Sequence, residues 1–205
     1  MAIRFIYFDL GRVLLDFTHE RGFAQIAELV GIEAEQVRAV LVDTGLSDRY
    51  ETGMVTTREF HQEFCESSGT SPTVSALANA WGDIFEIKPA TVALAANLKS
   101  AGHRIGILSN TCEAHWEHAA NKFRALSLLF DPVVTSYEVN SMKPDKGIYE
   151  TAAKHVGCAP EELFFVDDRE DNVDAARRLG WHASLFSSTQ KLADDLEKLS
   201  ISFNR

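Results

Sequence analysis

Asp9, Asp167, Asp168, Lys143 and the run Ser109-Asn110-Thr111 are the residues of this 205-residue sequence whose types and positions suit chemistry. Each follows a short apolar run. Asp9 closes residues 3–8, Ser109-Asn110 closes 104–108 and Asp167-Asp168 closes 163–166, while Lys143 comes a short loop after 132–135. One polar residue at a strand end carries little information, but four such ends on one sheet edge describe a built site. Three carboxylates brought together repel unless a cation joins them. Their oxygens suit a hard divalent ion, and Mg²⁺ keeps positions open for water and a phosphate oxygen. Lys143 and the Ser109 hydroxyl could hold the remaining phosphate oxygens. A carboxylate can itself attack phosphorus and carry the group as an aspartyl-phosphate, splitting the transfer into two steps. Charge spread over the equatorial oxygens is then met by cation and lysine.

The elements that must position these residues follow from hydrophobic periodicity. The four runs, with 182–185 as a fifth, read as buried strands. Between them lie helical patterns: Val92, Ala95, Ala96 and Leu98; Ile148, Tyr149 and Ala152 after an N-cap at Asp145 and ending near Gly157; Val173, Ala176 and Arg177; and Leu192, Leu196 and Leu199. Strand alternating with helix predicts an α/β fold, a Rossmann-like three-layer parallel sheet covered on both faces. Ligands of such sheets bind beyond the carboxyl ends of the strands. Residues 16–87 break the alternation with helical patterns and no convincing strand, far longer than a crossover needs. The expected organisation is a core of residues 1–15 and 88–205 with an inserted helical-bundle cap over 16–87.

Composition limits the partners. A net charge of -10 repels a phosphate backbone, which argues against nucleic acid. No segment has the roughly 18 apolar residues of a membrane span, and the stretch before Asp9 is too short for a signal peptide. Three scattered cysteines, Cys65, Cys112 and Cys158, form neither a disulfide framework nor a zinc site, so the cytoplasm is the expected compartment.

The sequence resembles the haloacid dehalogenase superfamily. Asp9-Leu10-Gly11-Arg12-Val13-Leu14 is similar to its first motif, Leu108-Ser109-Asn110-Thr111 to the second, Met142-Lys143-Pro144-Asp145 to the third, and Phe165 to Asn172 to the fourth. The motifs come in order across nearly the whole chain, with the insertion where a C1-type cap belongs. The likeness is closest to a bacterial subgroup that includes α-D-glucose-1-phosphate phosphatase, through the opening Phe8-Asp9-Leu10-Gly11, Glu51-x-Gly53 leading into Phe60, and the second and fourth motifs. It implies a Mg²⁺-dependent phosphatase acting on a small phosphorylated metabolite, a hexose 1-phosphate foremost. By the same likeness Asp9 is nucleophile and metal ligand, Asp168 the second carboxylate ligand, and the Gly11 carbonyl the third. Asp167 stands beside the metal or acts through water. Ser109, Asn110, Thr111 and Lys143 hold the phosphate, and Asn172 orients a metal water or Lys143.

Gly11 departs from the usual pattern. The second Asp of the first motif, which protonates the leaving group and then activates water, belongs at this position. Two readings follow: a phosphatase whose substrate has an easy leaving group or whose proton comes from elsewhere, with Asp16, His19 and His115 as candidates, or a protein that binds phosphorylated ligands with little turnover. General acid–base help is worth roughly 10²–10⁴-fold. A phosphomutase is disfavoured by the same glycine. A dehalogenase is disfavoured by the acidic pair and by the absence of a tyrosine at position 11. Blander expectations cover the rest. His115 and His118 are expected on a surface helix with Trp116 packing beneath it, His115 alternatively facing the cleft; Glu51 and Arg49 in a solvated loop or, alternatively, on the cleft side of the cap; Trp81 and Phe85 in the cap interior; and Asp171 at an exposed helix start. Arg12 serves either the substrate or the hinge.

Overall fold

The computed structural model describes residues 2–204. Its centre is a five-stranded parallel sheet of β1 (Phe5–Phe8), β4 (Arg104–Ser109), β5 (Val133–Thr135), β6 (Leu163–Asp167) and β7 (His182–Leu185). The spatial order is β5-β4-β1-β6-β7, so β1 is central and the carboxyl ends of β4 and β6 flank its own. In register, Phe8 lies between Ile107 and Val166, which places Asp9 between the ends of the two neighbours.

Alternation along β1 explains the layers. Ile6 and Phe8 face one apolar layer with Ile105, Ile107, Phe164, Val166, Leu98 and Leu192, while Phe5 and Tyr7 face the other with Tyr149, Phe165, Ala176 and Trp181. Both faces are dry, so the strand reads as a continuous apolar run. Each such side chain contributes about 1.5–3 kcal/mol on burial. Helices α6 (Pro89–Ser100) and α12 (Thr189–Lys198) cover the first face; α10 (Lys146–Val156) and α11 (Glu170–Arg178) cover the second. Shorter pieces, α7 (Glu113–Lys122), α8 (Ala125–Leu129) and α9 (Ser136–Val139), follow β4 and β5.

Between β1 and α6 the chain forms α1 (His19–Val30), α2 (Ala34–Arg38) running into a π-turn at Ala39–Asp43, α3 (Leu46–Glu51), α4 (Thr57–Ser68) and α5 (Val74–Gly82). They share an apolar centre of Phe23, Ile26, Val37, Leu41, Tyr50, Phe60, Phe64, Leu77 and Trp81, joined by Cys112 and Ala114 from the start of α7. Helix α4 opens with a capping box: the Thr56 hydroxyl accepts from the Glu59 amide, and the Glu59 carboxylate accepts from the Thr56 amide.

The sequence expectation missed two strands here. Leu15–Phe17 (β2) and Phe85–Ile87 (β3) pair antiparallel, Leu15 opposite Ile87 and Phe17 opposite Phe85, where the helical layer leaves and rejoins the sheet. Three residues are too few to show alternation. Phe85 therefore lies in this ribbon and packs with the sheet-side layer, not inside the helical one. Cys65, Cys112 and Cys158 are free thiols, and among the described residues no helix is long and apolar enough to cross a membrane.

Candidate active site

The sheet edge brings the expected residues together. Lys143 is buried, and its ammonium donates to Asp9 Oδ1 at 2.6 Å, Asp167 Oδ2 at 2.7 Å and the Leu108 carbonyl at 2.8 Å, using its three donors. Burial works against its charge, but Asp9 and then Asp167 outweigh that and hold its pKa above the ordinary lysine value. Asp9 experiences the converse. Burial, with Asp167 and Asp168 nearby, outweighs Lys143 and raises its carboxyl above the ordinary range. The balance of charge is plain: three carboxylates share one ammonium.

Asp167 is wholly buried and fully engaged. Oδ1 accepts from the Arg169 amide at 2.8 Å, and both oxygens accept from Asn172 Nδ2 at 3.1 Å, in addition to the lysine. It holds Lys143 in place and has no room left for another strong partner. Asp168 instead faces the cleft with Asp9, Gly11, Arg12, Met142, Lys143 and Asn172. Its carboxyl is raised, first by burial and then by Asp167. Asn172 therefore steadies Asp167, and reaches Lys143 only through it.

A divalent cation fits this donor set. Carboxylate oxygens of Asp9, Asp167 and Asp168 lie within 4.8 Å of one another, and the engagement of Asp167 leaves Asp9 and Asp168 as the pair facing the cleft. Asn172 Oδ1 is buried without a hydrogen-bond partner among the described residues, an acceptor suited to a water carried by such a cation. The Gly11 carbonyl accepts from the Val13 amide at 2.7 Å, which occupies one of its two lone pairs.

The second-motif residues are less uniform than expected. Ser109 and Thr111 are buried beside the cleft, and Thr111 Oγ1 has no hydrogen-bond partner among the described residues. The Asn110 side chain is engaged with the lysine loop. Its amide donates to the Lys143 carbonyl at 2.8 Å and its Oδ1 accepts from the Lys143 amide at 2.7 Å. The side chain is a bracket for the lysine loop and has little left for a phosphate.

The helical layer closes the cleft from above. Glu51, His19 and Phe17 line it together with Asp9 and Lys143, around a volume of about 350 Å³. For Glu51 the structure favours the cleft side over the solvated loop that the sequence suggested first. Glu51 ends α3 half-buried over the cleft, and burial, aided by Asp48, pushes its carboxyl up to about 7. The signal that could have found it was Glu51-x-Gly53. Gly53 has φ 72°, and a Cβ there would run into the Tyr137 carbonyl of α9, so this turn must sit against the sheet side. Arg49 pairs with Glu63, away from the cleft-lining residues.

His115 is also corrected. It is buried, not on a surface helix, and donates from Nε2 to the Trp81 carbonyl at 3.1 Å. Burial, then the neighbouring His19, pulls its pKa down to about 3, so it stays neutral. His118 pairs with Asp83 at 3.2 Å. Trp116 packs against the sheet-side layer as expected. Asp16 is exposed and bridges to Lys88 at 3.2 Å on the ribbon. Arg12 lines the cleft and stacks its guanidinium 4.7 Å over Phe17, joining substrate side and hinge. Asp171 is exposed at the start of α11, paired with Arg169.

Phe17 explains the glycine. A Cβ at Gly11 would meet Phe17 Cε1 at 2.8 Å, so the ring stands where an aspartate side chain would begin. Residues 3–180 match the family of haloacid dehalogenase-like hydrolases. The chain belongs to that family. This hydrolase is 28% identical over 218 residues to a glyceraldehyde 3-phosphate phosphatase of Methanothermobacter thermautotrophicus, covering 96% of this chain and 92% of the relative. It is 24% identical over 188 residues to a D-ribitol-5-phosphate phosphatase of Bacteroides thetaiotaomicron, covering 87% and 89%. A crystal structure of a family enzyme from the same bacterium, in complex with magnesium and inorganic phosphate, superposes with TM-score 0.78 at 25% identity, covering 91% of this chain and 95% of that one. The expectations of the superfamily, of its Rossmann-like fold and of a phosphoric monoester hydrolase are borne out. Neither relative is named for glucose 1-phosphate.

Proposed function

We propose that this hydrolase is a Mg²⁺-dependent phosphatase of small phosphorylated metabolites, working through an aspartyl-phosphate on Asp9. The observation that carries the reading is the Asp9–Lys143–Asp167 arrangement, with Asp168 beside it at the mouth of the same cleft. Lys143 aims one oxygen of Asp9 away from solvent and leaves the other to attack phosphorus. Asp167, Asn110 and Asn172 keep that lysine from moving. The Asp9–phosphorus bond forms as the ester P–O bond breaks; water then attacks phosphorus and returns Asp9 as carboxylate. Ser109, Thr111 and Lys143 hold phosphate oxygens. Asp9, Asp168 and the Gly11 carbonyl hold Mg²⁺, which supplies charge neutralisation for the phosphoryl oxygens.

Residues 16–87 act as the cap, hinged at the β2–β3 ribbon. The cleft suits a small ligand. Both full-length relatives carry names of sugar or polyol phosphate phosphatases, and that class is the proposed substrate, with a hexose 1-phosphate included for its easily departing anomeric oxygen. The acidic pair and the lysine favour this over a dehalogenase, which displaces halide without a cation.

Asp9→Asn is the test. Removing a nucleophile of this kind costs on the order of 10⁴–10⁶-fold in kcat. We expect a loss of that size in p-nitrophenyl phosphate hydrolysis, and silence of the wild type in excess EDTA. Wild-type turnover by the variant would remove Asp9 from the mechanism. A wild type that binds Mg²⁺ and phosphate yet releases nothing from sugar, polyol or aryl phosphates would make this a binding protein.

A further inference from the structure

Gly11 carries no acid and the ring of Phe17 crowds its position, yet sugar and polyol phosphates other than anomeric ones leave as alkoxides that need a proton. Resting on the phosphatase reading above, the proton must come from another group that lines the cleft. Asp16 is exposed and tied to Lys88 on the ribbon. His115 spends Nε2 on the Trp81 carbonyl and is neutral. His19 reaches the cleft, but burial lowers its pKa and so favours its neutral form. A neutral imidazole is a poor donor to a departing oxygen.

Glu51 remains, and its setting is built. It borders both the main cleft and a smaller adjoining pocket of about 40 Å³ beside Gly11, Phe17, Ser109, Thr111 and His115. That volume is room for a bridging water. The carboxylate is presented by a turn fixed on both sides. Before it, the Tyr50 hydroxyl accepts from the Ala114 amide at 3.1 Å and bonds Thr57 Oγ1 at 2.6 Å. The Glu51 carbonyl itself accepts from Ser136 Oγ at 2.6 Å. After it, Gly53 lies against Tyr137 and Asn140 in a conformation and a space that only glycine fits. A helix end anchored to α7 and α9 at residues 50, 51 and 53 cannot swing its side chain far from the cleft.

We propose that Glu51 is the general acid and base of this enzyme, delivered from the helical layer in place of the aspartate that position 11 lacks. As the P–O ester bond breaks, its electron pair stays on the leaving oxygen, which takes the Glu51 proton directly or through one water and departs as an alcohol. Glu51, now a carboxylate, takes a proton from the water that attacks the aspartyl-phosphate. The new P–O bond forms, the Asp9–phosphorus bond breaks, and Glu51 is protonated again. Its surroundings support proton retention. Asp48 lies one turn earlier on α3, and the cleft wall brings Asp9 and Asp168 from the sheet side, against the cations Lys143, Arg12 and Arg169. His19 and His115 complete the titratable lining from α1 and α7.

The test is leaving-group dependence. p-Nitrophenolate departs without a proton, whereas the alkoxide of a polyol phosphate does not. Glu51→Gln keeps shape and removes the acid. The ratio of kcat/KM for a polyol phosphate to that for p-nitrophenyl phosphate should fall by about 10²–10⁴-fold in this variant, the worth of general acid help. An equal loss on both esters would make Glu51 structural, and no loss on either would make it irrelevant; both overturn the proposal and leave Asp9 chemistry standing. The wild type gives a second measurement that needs no variant. Across aryl and alkyl phosphates of graded leaving-group acidity, its kcat/KM should vary shallowly. A steep wild-type dependence would mean that no acid operates. Failure of the wild type on every ester would instead sink the phosphatase reading itself.

Discussion

The floor and the roof of the cleft are built on different electrostatics: the floor sets carboxylates against a buried ammonium, and the roof does not. On the floor, Asp9 and Asp167 lie against the Lys143 ammonium, and the lysine is held charged by them. On the roof, Glu51 is acted on by burial and a second carboxylate, and His115 by burial and two further imidazoles. With no opposite charge offered, each moves toward its neutral form. On the floor the single ammonium keeps its charge, while burial and two neighbouring carboxylates still raise Asp9 above the ordinary range. The floor is thus an ion-paired frame, and the roof a set of groups shifted toward their neutral forms among aromatic rings. Trp81 lies 5.0 Å from His115 and 5.7 Å from His19, centroid to centroid.

This contrast can be broken most sharply at Asp167. Asp167→Ala leaves Lys143 paired with Asp9 but strips the Arg169 amide and Asn172 Nδ2 of their acceptor, and each buried donor left unsatisfied costs about 1–3 kcal/mol. Asp167→Ala should lose stability on that scale in urea unfolding. Glu51→Gln, which deletes no compensating charge, should lose nothing comparable. Similar costs for both would erase the distinction between frame and roof.

A smaller effect is expected where floor and roof meet. Gly11→Asp places a side chain against the Phe17 ring. Overpacking of this kind costs about 1–3 kcal/mol. The variant should melt earlier and gain no rate on alkyl phosphates. A stable, faster variant would show that the ring yields and that the acid had been limiting.

The smallest effect is a slope. His115 has its pKa lowered from 6.5 to about 3 in the fold. Between those values the unfolded chain binds a proton that the folded chain refuses, so stability falls as pH falls from 6.5 toward 3. The slope is at most about 1.4 kcal/mol per pH unit. His115→Gln can keep a donor for the Trp81 carbonyl and should flatten that part of the profile in chemical denaturation. An unchanged slope would place the histidine in solvent.

The floor was legible in the sequence because each of its parts is local. An apolar run that ends in a polar residue specifies both the strand and the side chain at its tip, as at Phe8-Asp9 and Val166-Asp167. The roof was not, because its residues acquire their meaning from partners far along the chain. Glu51 looks like any charged helix end until Gly53 docks on Tyr137. His115 looks like a surface residue of α7 until Trp81 arrives from α5. Asn110 showed its place but not its use, since the bracket it forms is with a lysine thirty-three positions away. The β2–β3 ribbon failed for a simpler reason: its strands are three residues long.

The contact between Gly11 and Phe17 has a consequence for how such an enzyme can change. Neither position is free while the other keeps its residue. A single mutation that restores the aspartate meets the ring, and a single mutation that removes the ring opens a gap under Arg12 without adding an acid. The two positions form an epistatic pair. Single-site mutational scans will score position 11 as intolerant for reasons of space, and a lineage that moved its acid from floor to roof would find the way back closed unless both residues changed together.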